Sequence, residues 1–403
     1  MRYNQLPCAR QRPEASRSSG GSARFWIFQL LGLCVVICSL LLLIPKTPVA
    51  LADGGAPNLA YVAGSAQGIS VINIAEQKVT KTIALNGDPT MTYLSLDGRY
   101  LYIAQPGLNK ITMLDANSGR AICSASIAGK PSLLAFDPGV NTLYVAGNDA
   151  PNITALDANN CAVKQTIQTS SPVYGMALAI VGSTTNGGAN NQLWYSTAST
   201  INVFELPNKI TSIAVAGGPQ YILIQGATVY VTTRQGTVVA VSLQTLQVTP
   251  PLLTGGDFGK MDYDAFTNEV YIPDKKHDRI DVLTPIFYGS SIPPEPSHVL
   301  AVNGSPQSIA ITNDGNLAFV ALTGGNVAML DIPGKQLLKT FSVGGSPLFV
   351  ITGVYPPTGT TPAPTTSDGL IISQNILYLI AGIGILLLVV IALLVILARR
   401  QKA

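Results

Sequence analysis

The sequence predicts an all-β protein, a seven-bladed β-propeller, with an N-terminal signal or anchor helix and a C-terminal transmembrane helix. Three observations predict it. An apolar tetrapeptide containing an aromatic residue recurs seven times at an average spacing of about 43 residues, the period of propeller blades. Between copies the chain alternates apolar and polar residues and turns at Gly, Pro, Asn and Asp. Two long uncharged apolar runs flank the repeats. Composition agrees: 47% hydrophobic and only 11% charged residues, with mean hydropathy +0.35, is too apolar for disorder, and 38 Gly and 27 Pro befit a turn-rich β protein.

The first apolar run, Phe25 to Ile44, follows Arg2, Arg10, Arg12, Arg17 and Arg24, with only Glu14 opposing them. A basic region ahead of an apolar core is how an export signal is built. Pro45 breaks the run and Ala50-Leu51-Ala52 offers small residues to a signal peptidase, so cleavage before Asp53 is expected. The run is also long enough to span a bilayer, which leaves an uncleaved anchor open. Residues 1–52 are therefore read as a basic n-region plus signal peptide or signal anchor.

The last apolar run, Ile376 to Ala398, ends at Arg399, Arg400 and Lys402. It reads as a transmembrane helix within residues 370–398, with residues 399–403 as a cytoplasmic tail. A buried soluble helix of that length would show a polar stripe. Residues 358–369, rich in Thr and Pro, read as a stalk that cannot pack a core. The expected localisation is the cell membrane, single-pass, or two-pass if the signal stays, with the domain of residues 53–357 on the extracytoplasmic side. Setting aside Glu14, Lys46, the five N-terminal arginines and the three tail cations leaves 15 basic against 20 acidic residues, about −5. Nucleic-acid binding has no electrostatic support in that balance.

The tetrapeptides are AYVA (60–63), LYIA (101–104), LYVA (143–146), LWYS (193–196), VYVT (229–232), VYIP (270–273) and AFVA (318–321). Each is followed by a second alternating run, such as ITMLDA (111–116) or VAMLDI (327–332), then a third, such as VTKTIAL (79–85). Next comes a Gly-x-Pro turn, as at Gly87-Asp88-Pro89, Gly129-Lys130-Pro131 and Gly345-Ser346-Pro347, and a short fourth run that often ends in Asp-Gly. Sheets of four such strands bury both faces when stacked radially, and a closed ring leaves only short edges. A solenoid would need capping repeats, which this chain lacks.

This arrangement resembles the YVTN-repeat β-propeller family, whose repeat carries a Tyr-Val-Thr strand, a Val-x-Val-Ile-Asp strand, a Gly-x-Pro turn and a Ser-Pro-Asp-Gly turn. The resemblance spans about Asn58 to Tyr355. It implies the fold more firmly than an activity, because members include surface proteins and relatives of quinone- and haem-linked enzymes. Two copies depart from the pattern, with Ser171-Pro172 lacking Gly and Gly255-Gly256-Asp257 lacking Pro, and distorted blades are expected there. The family also implies that the run after Gly-x-Pro is the innermost strand. The last run, Leu348 to Val354, must then return to complete the first blade, and both tethers leave from the same face.

No catalytic residue, metal ligand set or cofactor is expected: Cys-x-x-Cys-His, His-x-x-x-His, P-loop, dinucleotide and Gly-x-Ser-x-Gly patterns are absent, and the two histidines are His277 and His298. Clustered carboxylates at Asp257, Asp262 and Asp264, and at Asp274, Asp278 and Asp281, are compatible with calcium, although turn-capping is the commoner role of such residues. Asp115, Asp157 and Asp331 are read as turn caps in the same way. Asn152 and Asn303 start glycosylation sequons. Cys123 and Cys161 tempt a disulfide in an oxidising compartment. Counting back from Ile127 and Ile167, however, places each an even number of residues away, on the same side of its own blade, so the bond is disfavoured.

The expected binding surface is the outward face bearing the Gly-x-Pro turns, with Asp88, Lys130, Lys260, Lys275 and His277 as candidate ligand-binding residues. Insertions at Ser183 to Asn191 and Phe287 to Pro296 would lie on the opposite, membrane-side face. The leading functional expectation is a membrane-tethered scaffold that binds an extracellular protein or glycan. The alternatives are a propeller enzyme, a quinoprotein-like oxidoreductase or lactonase-like hydrolase, and a structural surface-layer component.

Overall fold

Each apolar tetrapeptide lies in a strand buried on both faces, which is why it lacks the polar half of an alternating pattern. In the computed structural model, which describes residues 59–180, 191–286 and 294–353, these strands are the second of four in seven antiparallel sheets. The chain divides into two compact units, Met1–Tyr355 and Pro356–Ala403, and every described residue belongs to the first. The two apolar runs, the stalk, Cys8, Cys34 and Cys38 lie outside the described residues. No helix among the described residues is long and apolar enough to cross a membrane.

The inner strands of blades two to seven are Met91–Leu94, Pro131–Asp137, Gly175–Ala179, Pro219–Gln225, Asp262–Tyr263 and Pro306–Ile311. Blade one is completed by the C-terminal strand Phe349–Gly353, which pairs with the N-terminal strand Leu59–Ser65 in the register Leu59↔Gly353 to Ala63↔Phe349. The ring therefore closes by a clasp between the two ends of the domain. Residues 59 and 353 emerge side by side on one face, termed here the terminal face. The turns from outer to inner strands, including Gly-x-Pro, lie on the other.

Seven apolar clusters glue the ring, one in each gap between neighbouring blades. Alternation along the second strands divides each between two gaps: Tyr61 packs toward blade two, while Ala60 and Val62 pack toward blade seven. The aromatic residue at the second tetrapeptide position always faces the following blade, as Tyr61, Tyr102, Tyr144, Trp194, Tyr230, Tyr271 and Phe319 do. There the Tyr102 hydroxyl donates to the Ala158 carbonyl, 2.8 Å away in blade three. Burial pushes the Tyr102 and Tyr144 phenols up to about 12.

The two irregular copies behave differently. The blade after Gly255-Gly256-Asp257 has an inner strand of only two residues, whereas the one after Ser171-Pro172 keeps five, Gly175–Ala179. Residues 183–190 of the first insertion and 287–293 of the second lie outside the described residues.

The disfavoured disulfide is present: Cys123 and Cys161 are bonded, with Cα atoms 5.9 Å apart. Parity counting fails because the register of the third and outer strands of blade three slips between Ala155 and Leu156, so that Gln165 and Val163 face consecutive residues and Lys164 is extra. A bulge inverts which side every earlier residue faces. Cys161 itself sits in the turn with φ 60° and joins the cluster between blades two and three, where Cys123 packs.

Candidate functional site

The inner strands surround a central channel holding a cavity of about 190 Å³, lined by residues that include Met91, Leu133, Gly175, Tyr221, Lys260 and Phe349. These six are one structural position repeated around the ring. Met91, Leu133, Gly175 and Phe349 pair with the last residue of their own blade's tetrapeptide, Ala104, Ala146, Ser196 and Ala63. Tyr221 donates its backbone N–H to Thr232 Oγ1 at the same level. Lys260 bridges to Ser308, the equivalent residue of blade seven. At Gly175 a Cβ would lie 2.1 Å from the Gln220 carbonyl oxygen, so glycine is what lets blades four and five approach.

Lys260 is the only cation among the lining residues. Its ammonium reaches past blade seven to within 4.8 Å of the Phe349 ring centre in blade one, and lies 5.8 Å from the Tyr221 ring in blade five. Burial pushes it down to about 8, with no carboxylate among the described residues close enough to oppose the shift. Asp262, two residues on, is committed elsewhere: its carboxylate accepts the buried backbone N–H groups of Ile311 (2.7 Å) and Tyr263 (2.8 Å).

The other four candidate residues stand apart from the channel. Asp88 and Lys130 are the central residues of equivalent Gly-x-Pro turns, both at φ 52° and both exposed. Lys130 pairs with Asp149 at 2.8 Å and donates its backbone N–H to Asn109 Oδ1 of the previous blade. Lys275 pairs with Asp257 at 2.9 Å. His277 meets the buried carboxylate of Asp274, which also accepts the backbone N–H groups of Asp257 and Lys276. Arg279 lies 2.8 Å from Asp281, whose carboxyl is raised by burial and held back by that guanidinium. The structure thus gathers Lys275 and His277 with Asp257, Asp274, Lys276, Arg279 and Asp281 around one hairpin of blade six, and places Lys260 inside the channel.

Of the carboxylates read as compatible with calcium, Asp264 accepts Phe266 N–H and Thr267 Oγ1–H within its turn, Asp262 accepts Ile311 N–H from blade seven and Asp281 meets Arg279; no group of three His, Cys, Asp or Glu side chains gathers as a metal set among the described residues. Asp115, Asp157 and Asp331 cap the turns that follow them by accepting backbone N–H groups of Ser118, Asn159 and Gly334.

Residues that sequence reasoning missed are Tyr221 and Phe349, which frame Lys260. A signal existed, since each stands two residues after the proline of a Gly-x-Pro turn. Lys260 can be placed in that series by counting: it lies ten residues before Val270, as Met91 lies before Leu101 and Leu133 before Leu143.

No protein-family model matches the chain, and no curated protein matches it. Solved structures do. The chain is similar to a provisionally assigned 6-phosphogluconolactonase from Bacteroides uniformis ATCC 8492, at TM-score 0.60 and 14% identity, over 72% of this chain and 98% of that one. It is similar to a functionally unknown protein from Desulfotomaculum acetoxidans DSM 771, at TM-score 0.60 and 12% identity, over 74% and 100%. The dihydro-heme d1 dehydrogenase NirN follows at TM-score 0.52 and 16% identity, over 76% and 77%. Likeness at these identities is likeness of fold, and the fold it supports is the seven-bladed propeller.

Proposed function

We propose that the chain is a membrane-tethered extracytoplasmic propeller that acts as a binding scaffold, offering its Gly-x-Pro face to a protein or glycan. The observation that carries this reading is the pairing of Leu59 with Gly353, which brings both ends of the domain out on one face. The sequence beyond each end contains a bilayer-length apolar run with basic residues on its far side. A tether at either end would leave from that one face, and the opposite face, which carries Lys130, Lys275 and His277, would be the one offered to a partner. The resemblance of the repeat to YVTN-type surface proteins supports the same reading.

A second reading, a propeller enzyme, is favoured by one observation, the partly buried Lys260 side chain whose amine the channel desolvates. Likeness to lactonase-like and heme d1-related structures is compatible with it without assigning a reaction.

The tethered reading is tested by adding protease to intact cells that express the full chain. Cutting in the Thr/Pro-rich residues 358–369 is expected to free a folded fragment of about 300 residues, because such segments have no packing to protect them. Cleavage only after lysis overturns the orientation.

A further inference from the structure

We propose that the central channel is a binding site for a small organic monoanion, a carboxylate attached to an apolar or aromatic body, with the Lys260 ammonium as its counter-charge and the rings of Tyr221 and Phe349 as its walls. The inference deepens the binding reading above and does not depend on the tether.

Geometry argues for it first. Six of the seven equivalent ring positions hold Met, Leu, Gly, Tyr, Ser or Phe, and the seventh holds a cation. A lysine in a partly buried apolar ring is costly unless something compensates its charge. Among the described residues the ammonium meets two ring faces, at 4.8 and 5.8 Å, while the carboxylate of Asp262, two residues on, accepts two backbone N–H groups. A ring face offers the ammonium no hydrogen-bond acceptor, whereas a carboxylate would accept a charge-assisted hydrogen bond from it. The ammonium thus retains donors for an anion, and the cavity of about 190 Å³ in front of it is the space an anion would fill.

Charge and lining then fix the class. One ammonium matches one negative charge. A phosphate dianion is usually met by an arginine fork or several cations, and the lining contains neither. Met91, Leu133 and the two rings offer an apolar wall to the remainder of the ligand. The other titratable groups facing this space are Tyr93, Asp262 and Tyr263 beside Tyr221, with the Lys275–Asp257 pair near Tyr221. Burial raises the Tyr221 phenol and lowers Lys260 to about 8, so the Lys260 charge changes between pH 7 and 9.

The test is calorimetric titration of the purified full chain with benzoate, its uncharged isostere benzamide, and inorganic phosphate. Benzoate is expected to bind at pH 7, with affinity falling about tenfold by pH 9 as the lysine loses its proton. Benzamide and phosphate are expected to bind at least about tenfold more weakly, the scale of one charged hydrogen bond. Lys260→Met should abolish the benzoate preference, and Lys260→Arg should keep it while removing the fall at pH 9. Unchanged benzoate affinity in Lys260→Met, equal affinity for benzamide, or preferred binding of phosphate would each overturn the assignment. If Lys260→Met misfolds, the pH profile of the unaltered chain and the benzamide comparison still decide the matter. Should benzoate fail to bind while protease still releases the domain from intact cells, the channel site falls and the tethered scaffold stands.

Discussion

Cys123, in the outer strand of blade two, is bonded to Cys161, in the turn that opens the outer strand of blade three, across 38 residues of chain. The bond joins two blades at their periphery, where the outer strands have the most exposed faces. Closing a loop of this length restricts the unfolded chain by about 3–4 kcal/mol in the chain-entropy model. The double variant Cys123→Ser, Cys161→Ser is therefore expected to unfold at lower denaturant by an amount worth about 2–4 kcal/mol. Thiol labelling of the unfolded chain without reductant should leave both residues unmodified, and their labelling would contradict the pairing.

Deleting the closing strand Phe349–Gly353 exposes the edge of Leu59–Ser65 and opens two apolar clusters at once, since Phe349 and Ile351 belong to the gap facing blade two and Val350 to the gap facing blade seven. Exposed edges and apolar faces associate. Aggregation during size-exclusion chromatography is the expected outcome, and Ile351→Asp, which leaves the strand in place but buries a charge, should shift the chain the same way. A monomeric deletion variant with an unchanged melting midpoint would refute the clasp.

Lys260 makes stability depend on pH with a definite sign. Its folded value of about 8 lies below the roughly 10.4 of an unfolded lysine, so the unfolded chain binds the proton more tightly and the penalty on the folded state is fully present below pH 8. That penalty falls as pH rises past 8 and is gone only above the unfolded value of roughly 10.4. Lys260→Met should accordingly stabilise the protein at pH 7 by about 1–2 kcal/mol, allowing for the partial exposure of the side chain to the channel, and the gain should shrink to roughly a quarter of that at pH 10. Paired chemical denaturation curves at the two pH values measure it. A variant less stable than the parent at pH 7 would show that the ammonium is satisfied by something else.

Asp262 ties blade six to blade seven through the Ile311 N–H. Asp262→Ala leaves that buried donor without its acceptor, a loss of about 1–3 kcal/mol. Faster hydrogen exchange at Ile311 than at Ile309 is the local signature, and unchanged protection would show that the bond matters little.

The repeat made the architecture legible because a strand buried on both faces has no polar alternation to hide its period; Tyr61, Tyr102 and Tyr144 mark it directly. The clasp was legible as well, since a last run without a following tetrapeptide, Leu348 to Val354, has only one blade left to join. Other features were not. Cys161 was misplaced because one extra residue, Lys164, inverts a side-chain count that assumes an unbroken strand. Sequence alone groups Lys260 with the outward face and not with the channel, because its copy lacks the proline that marks where the inner strand begins. Which residues surround its ammonium depends on the curvature of the ring, which brings Phe349 of blade one within reach, and no linear spacing encodes that.

The register Leu59↔Gly353 also sets how the domain would respond to load. The first residue of one strand lies opposite the last residue of the other, so a force drawing residues 59 and 353 apart acts perpendicular to the strands, on one rung of the ladder at a time. Strands loaded in this way peel open, whereas strands pulled along their length must break all their bonds together. A pull shared equally by both ends in one direction puts no such stress on the rungs. The seam that closes the ring is thus a zipper: resistant to common tension, weak against separation.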